Sequence, residues 1–459
     1  MATDLLQQML EHARRYRESL STRPLRPRAS LKELRHAFAI PLPETGEDAG
    51  AVLDVLAKEG EPGLMGSSSP RFFGFVIGGA HPAAIAADWL TSAWDQNSAL
   101  HLLSPTVAVL EETAGRWLCE LFGLPLDSGV GFVTGAQMAN FTALAAARHE
   151  LLSRVGWNVE DQGLYGAPEL HVVVGAEAHV TVLRALRFLG LGQKRVKRVP
   201  VDGQGCMRAD ALGDVLKTCS GPTLVCLQAG HINTGGMDPF ASLVEEAHRQ
   251  DAWVHVDGAF GLWAAASTRR RATVRGVETA DSWAVDAHKW LNVPYDCGVT
   301  IIRDARALRA AMGTQASYLV MSEGLRDSLE CVPEFSRRAR GVPSYTMLRT
   351  LGRSGVEALV DHCCDLAQRM AAALSKHRAV TVLNDVLLNQ VLVCFTSPDG
   401  GDADDFTRQV IARVQEEGTC WVGGAVWQGR QVMRISVSGW STTNEDADRS
   451  VDAILRCLR

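Results

Sequence analysis

Apolar positions along the chain follow three successive patterns. In the first forty residues Leu5, Leu6, Met9 and Leu10, then Leu31, Leu34 and Ala37, recur at helical spacing with charges between them, and Pro24, Pro27, Pro41 and Pro43 interrupt the pattern. This predicts an amphipathic helical arm ahead of the main fold, which either folds back on its own chain or, the favoured reading, clasps a second subunit. From about residue 105 the pattern changes to short, continuous, mostly β-branched runs at 170–174, 223–227, 252–256 and 298–302. Helical segments at 138–152, 181–189 and 239–250 lie between or beside them. Uninterrupted apolar strands alternating with helices predict a mostly parallel sheet covered on both faces, with its ligand beyond the carboxyl ends of the strands. After Arg340-Gly341-Val342-Pro343 a helical region runs to about His377, and the runs at 379–383, 390–395 and 427–437 predict a small α+β domain with an antiparallel sheet. The expected division is a helical arm over 1–68, a large α/β domain over 69–345 and a small domain over 346–459.

Composition narrows the class. The 46 Lys and Arg against 52 Asp and Glu leave a net charge of −6 with no polybasic tail, so nucleic acid is not an expected partner. The 11 cysteines are odd in number and scattered, with no CxxC pair; they read as reduced thiols, not as a disulfide framework or a zinc site, and no metal is expected. Asp4 and Glu11 fall where a secretion signal would need an apolar core, and no apolar run reaches membrane-spanning length. The expectation is a cytoplasmic protein with no membrane contact. Arg269-Arg270-Arg271 reads as a solvated loop.

Four clusters carry candidate chemistry. Lys289 stands between His288 and Trp290, among small and apolar neighbours beginning at Asp281; burial disfavours an ammonium, which suits a Schiff-base nucleophile. Asp257 ends the apolar strand pattern at 252–256, where a carboxylate needs a positive partner or good donors. Gly135 and Ala136 open a helix whose first N–H groups can cradle a phosphate. His179 follows another strand, placed to stack on a flat ring. Together the four fit one ligand, an aldehyde-bearing pyridine with a phosphate: Lys289 condensed with the aldehyde, Asp257 paired with the ring nitrogen, His179 on the ring face, Gly135 and Ala136 on the phosphate.

On these residues, above all Asp281-Ser282 followed by His288-Lys289-Trp290 and preceded by His255-Val256-Asp257, the sequence resembles the group II pyridoxal-phosphate-dependent amino-acid decarboxylases. The resemblance runs from about Pro70 to the last residue. It implies an α/β, fold-type I, aspartate-aminotransferase-like large domain, a mostly parallel central sheet, a small C-terminal domain, and a homodimer interlocked by N-terminal helices with active sites at the interface. It also implies pyridoxal 5'-phosphate as cofactor, an amino acid as substrate, loss of CO2 as the reaction, catalytic roles for Lys289, Asp257 and His179, and cofactor contacts from Gly135, Ala136, His231, Asp286 and His288. Phe72, Phe73, Phe75, Val76 and Ile77 are expected at the mouth of the site, and Arg337, Arg338 and Arg340 either meet an acidic substrate or face water.

Three departures stand out. His231 replaces a threonine; Asp286 stands where an asparagine is usual, and beside a phosphate dianion it needs a cation; and no tyrosine lies between Tyr318 and Tyr345, the loop in which relatives keep a proton donor. The last leaves an aminotransferase, an aldehyde synthase, a carbon–carbon lyase or a weakly catalytic cofactor-binding protein as alternatives to the decarboxylase.

Overall fold

In a computed structural model, which describes residues 2–314 and 327–459, the continuous apolar runs become strands buried on both faces. Contacts divide the chain into two units: residues 80–368 with 383–391, and residues 1–79 with 369–382 and 392–459.

The second of these contains the N-terminal helices α1 (Ala2–Ser19), α2 (Leu31–Phe38) and α3 (Ala49–Gly60). Each start has a chemical reason: Ser30 and Glu33 form a capping box at α2, and the Asp48 carboxylate accepts from Ala51 N–H at α3. His12 and Gln8 of α1 reach Asp54 of α3 at 2.9 and 2.7 Å. Leu6, Leu31 and Leu42 remain exposed. In the same unit, residues from the two ends of the chain are woven together. Phe73 N–H donates to Trp421 O, Trp421 N–H to Arg71 O, and Ser436 N–H to Phe73 O, while the buried Arg71 guanidinium lies 3.2 Å from Asp446.

The larger unit is the doubly covered α/β layer. Helices α4 (Pro82–Trp94), α5 (Pro105–Phe122) and α6 (Ala136–Ser153) accompany strands β1 (Gly129–Val133), β2 (His171–Gly175), β3 (Lys197–Val199), β4 (Thr223–Gln228), β5 (Trp253–Asp257), β6 (Ser282–Asp286) and β7 (Gly298–Ile302). Among the described residues these strands form one sheet of order β1-β7-β6-β5-β4-β2-β3, parallel except at β7, which runs antiparallel to both neighbours. All five residues of β1, β5, β6 and β7 are buried, as a sheet covered on both sides demands. A core of Val133, Leu144, Val172, Val174, Leu224 and Trp253 packs α6 onto the sheet.

Four further strands, β8 (Val380–Val382), β9 (Gln390–Phe395), β10 (Gly423–Trp427) and β11 (Arg430–Ser436), form a smaller sheet of order β10-β11-β9-β8 among the described residues. The run expected as a single strand from 427 to 437 is instead the second arm of a hairpin. Gln428 and Gly429 both take positive φ, 48° and 78°, which turns the chain back tightly. The long helical region is the helix Gly341–Leu374, broken at Gly352, whose φ of 61° ends one helix before the next begins.

Of the three arginines read as a solvated loop, Arg269 and Arg271 are exposed but Arg270 is buried. Arg269 and Arg270 both bond to Asp365, at 2.8–3.0 Å, on the Gly341–Leu374 helix. All eleven cysteines lie among the described residues as free thiols, nine of them buried.

Candidate active site

The carboxyl ends of the central strands lie in register. Gln228 pairs with Asp257 and Asp257 with Ala284, while Asp286 and Val133 both pair with Gly298. One sheet edge therefore gathers Gln228, Asp257, Asp286 and the Gly135–Ala136 entry to α6. Lys289 follows β6 by three residues, and His179 follows β2 by four.

Asp286 is the hub of the first cluster. Its Oδ1 accepts from Ala136 N–H at 2.5 Å, and its Oδ2 lies 2.7 Å from Lys289 Nζ. The cation that a carboxylate needs at this position is thus Lys289 itself. His288 Nδ1 accepts from Cys297 N–H at 3.2 Å, which leaves the ring proton on Nε2, 3.5 Å from Asp286 Oδ1. Burial holds this imidazole below its ordinary range. Tyr295 packs on it with ring centroids 4.3 Å apart. The glycines here are steric requirements: a Cβ on Gly298 would fall 2.3 Å from the Gly135 carbonyl carbon, and one on Gly135 would fill the space beside His288 and Asp286.

Asp257 and His179 share a small cavity with Glu177, Cys226, Gln228 and Asp238. Asp257 is 5% exposed; its Oδ1 accepts from Ala259 N–H at 3.2 Å, and among the described residues no basic side chain forms an ion pair with it. Burial of Cys226, with the Asp257 carboxylate adding to it, pushes that thiol far up. A buried carboxylate facing a cavity without a cation is what a protonated pyridine nitrogen would complete. His179 caps the helix Val180–Phe188, its Nδ1 accepting from Thr181 N–H, and its own N–H donates to Gln228 Oε1. His179 is therefore a helix cap that also lines the cavity. His231 is buried in the loop after β4, where its Nδ1 accepts from Asn233 and Thr234 N–H.

Further buried polar residues support this region. Asp238 accepts from Met207 and Gln228 N–H at 2.7 Å each, and burial nevertheless pushes its carboxyl up to about 6. Behind Asp257 on the same face of β5, His255 Nε2 lies 2.8 Å from Asn140 Oδ1 and Nδ1 lies 2.9 Å from Ser282 Oγ, and burial lowers this imidazole to about 3. Gln228 was readable only as the first polar residue after an apolar run.

Other expectations change. Arg337 neither faces water nor awaits a substrate: it is buried in a two-pronged pair with Glu111, at 2.9 and 2.6 Å. Arg338 bonds to Asp88 and Arg340 to Asp296, each at 2.8 Å. Phe72, Phe73 and Val76 are core residues, with Phe72 stacked on Trp421, and of the expected mouth residues only Phe75 is exposed, on a φ of +56°. The first part of the loop in which a tyrosine is expected, residues 315–326, lies outside the described residues; Asp327 beyond it accepts from His101 N–H at 2.7 Å.

Comparison with known proteins bears on this arrangement. A family profile described as "Pyridoxal-dependent decarboxylase conserved domain" matches residues 32–397. An aromatic-L-amino-acid decarboxylase of Bacillus atrophaeus is 26% identical, covering 97% of this chain and 91% of its own. A 4-hydroxyphenylacetaldehyde synthase of Rhodiola rosea is 27% identical, covering 97% and 91%. The crystal structure of Oryza sativa TDC with PLP and tryptamine superposes with a TM-score of 0.93 at 23% identity, covering 100% of this chain and 97% of that one. The shared fold is fold type I.

Proposed function

The chain belongs to the pyridoxal-dependent decarboxylase family, with pyridoxal 5'-phosphate as cofactor, and from that membership we propose that it is a cytoplasmic homodimeric enzyme converting an L-amino acid to an amine and CO2. When bound, the cofactor supplies an aldehyde for the substrate amine and a pyridinium that draws electrons from the substrate α-carbon.

The chain's own residues supply attachment, charge and orientation. Lys289 is the amine that would hold the cofactor aldehyde, kept at the sheet edge by Asp286 at 2.7 Å. Asp257 would keep the ring nitrogen protonated, because burial leaves it no other cation among the described residues. His179, on the same cavity, would cover the ring face. Gly135, Ala136 and His288 would receive the phosphate where α6 offers its first N–H groups, and His231 would contact the cofactor from the loop after β4. The exposed Leu6, Leu31 and Leu42 of the N-terminal segment support a second subunit as their cover. In described residues no helix is long and apolar enough to cross a membrane.

The observation that carries the reading is the buried, cation-free Asp257 sharing a cavity with His179 on the sheet edge that also holds Lys289. The test is a panel of aromatic, acidic and diamino L-amino acids incubated with the holoenzyme, measuring CO2, amine, aldehyde and keto acid. Amine and CO2 in equal amounts are expected; keto acid without CO2 defeats the decarboxylase reading. The wild type should show an absorption band near the visible edge that borohydride removes, and Lys289→Ala should lack both band and turnover.

One observation favours a second reading. The sequence has no tyrosine from 319 to 344, and an aldehyde synthase is among the relatives. Without a phenol to return a proton to the α-carbon, O2 and water can carry the substrate on to aldehyde, CO2, ammonia and hydrogen peroxide. Peroxide formed in step with aldehyde in the same panel would select this outcome.

A further inference from the structure

Asp286 ends β6 with its carboxylate buried, and each group against it is a donor or a cation. Ala136 N–H, at the start of α6, donates to Oδ1 at 2.5 Å; Lys289 Nζ stands 2.7 Å from Oδ2; His288 Nε2 lies 3.5 Å from Oδ1, backed by Tyr295. One side chain thereby satisfies both the free end of a helix and an ammonium. These are the two groups that the reading above gives to the cofactor, the first to its phosphate and the second to its aldehyde.

We propose that Asp286 is a built-in competitor for the cofactor: it closes the α6 anion position on itself, holds Lys289 in an ion pair while the cofactor is absent, and sets the affinity for pyridoxal phosphate below what the cradle alone would give. The inference rests on phosphate being held at the start of α6 and assigns Asp286 a role opposed to its neighbours there. A single N–H cannot serve two acceptors at full strength, and a helix has only a few such donors. A phosphate dianion brought against a buried carboxylate meets repulsion that water does not screen. An asparagine would still accept from Ala136 N–H but would carry no charge. The compensation lies in the cofactor-free protein, which would otherwise leave a helix end and a partly buried ammonium without partners. Asp286 therefore stabilises the empty enzyme at the expense of the loaded one.

The test titrates cofactor-stripped wild type and Asp286→Asn with pyridoxal phosphate, with pyridoxal and with inorganic phosphate. The aldehydes are followed by their absorption band and inorganic phosphate by the shift it causes in the thermal midpoint. Asp286→Asn should bind pyridoxal phosphate and inorganic phosphate about tenfold more tightly, gain less for pyridoxal, and melt lower than wild type without ligand. A gain for pyridoxal phosphate below about threefold, or a loss, overturns the proposal. Wild type that forms no borohydride-stable adduct at any cofactor concentration overturns the cofactor assignment and this inference with it, whereas an adduct in wild type with no gain in the variant overturns the inference alone. Should the variant not fold, wild type decides: preference for pyridoxal phosphate over pyridoxal below about a hundredfold supports the competitor, and a larger preference overturns it.

Discussion

The pair Glu111–Arg337 offers the sharpest test of how the larger unit is held together. The side chains are 0% and 1% exposed, bonded at 2.9 and 2.6 Å, and Ser328 Oγ donates to the same carboxylate at 3.0 Å. Arg337 Nε, also buried, has no acceptor among the described residues. Two unit charges about 4 Å apart at an effective dielectric near 20 attract by about 4 kcal/mol, most of which offsets desolvation. Removing one partner strands the other. Glu111→Met or Arg337→Met should each cost about 3–5 kcal/mol, while the double change Glu111→Met with Arg337→Met, which takes both charges out together, should recover most of that loss. Urea unfolding at fixed protein concentration, followed by tryptophan fluorescence, reads all four proteins of the cycle. The reasoning is refuted if either single variant stays within about 1 kcal/mol of wild type, or if the double loses the sum of the two. It is refuted equally if Arg337→Met keeps its stability and raises KM only for acidic amino acids, because Arg337 would then meet substrate.

Three further outcomes follow from the site. Asp257→Asn should keep the absorption band but lose about 10²–10³ in turnover, since it retains shape and removes charge; wild-type turnover in the holoenzyme would rule out the ring-nitrogen role. Gly298→Ala drives a methyl into the Gly135 backbone at 2.3 Å, so cofactor affinity should fall at least tenfold and stability by about 1–3 kcal/mol; calorimetric titration showing unchanged affinity would contradict the cradle. His255, lowered by burial to about 3, stays neutral in the folded protein while the unfolded chain takes up a proton below its ordinary 6.5. Its contribution is full above pH 6.5 and is lost as pH falls toward 3, in total about 5 kcal/mol. Urea midpoints of wild type and His255→Gln should therefore converge on acidification, and parallel curves would show that His255 does not titrate in this way.

What the sequence made legible was whatever is local and repetitive. The strand patterns at 223–227 and 390–395 are continuous apolar runs, and β4 and β9 lie there within a residue. β1 escaped notice because Gly129 and Gly131 dilute its pattern, and β3 because it is three residues long and begins Lys197-Arg198. In the site, Lys289 and Asp257 announced themselves as charged groups in apolar surroundings. Their supports did not, because each depends on a partner far along the chain: Glu111 lies 226 residues from Arg337, and Asn140 lies 115 residues from His255. The charge of Asp286 was legible, but its pairing with Lys289 was not: the sequence showed only that two residues separate them, and only the turn after β6 shows the two ends meeting.

The weaving of Arg71–Phe73 with Trp421, Ser436 and Asp446 also bears on the protein's synthesis. At about 5–20 residues per second, a ribosome that has made Phe73 needs roughly 17–70 s more to reach Trp421. During that interval the buried faces of Phe72 and Phe73 have no place to go within their own unit. The emerging N-terminal segment is therefore a natural client for chaperones, and a nascent chain stalled before residue 421 would be left open to aggregation.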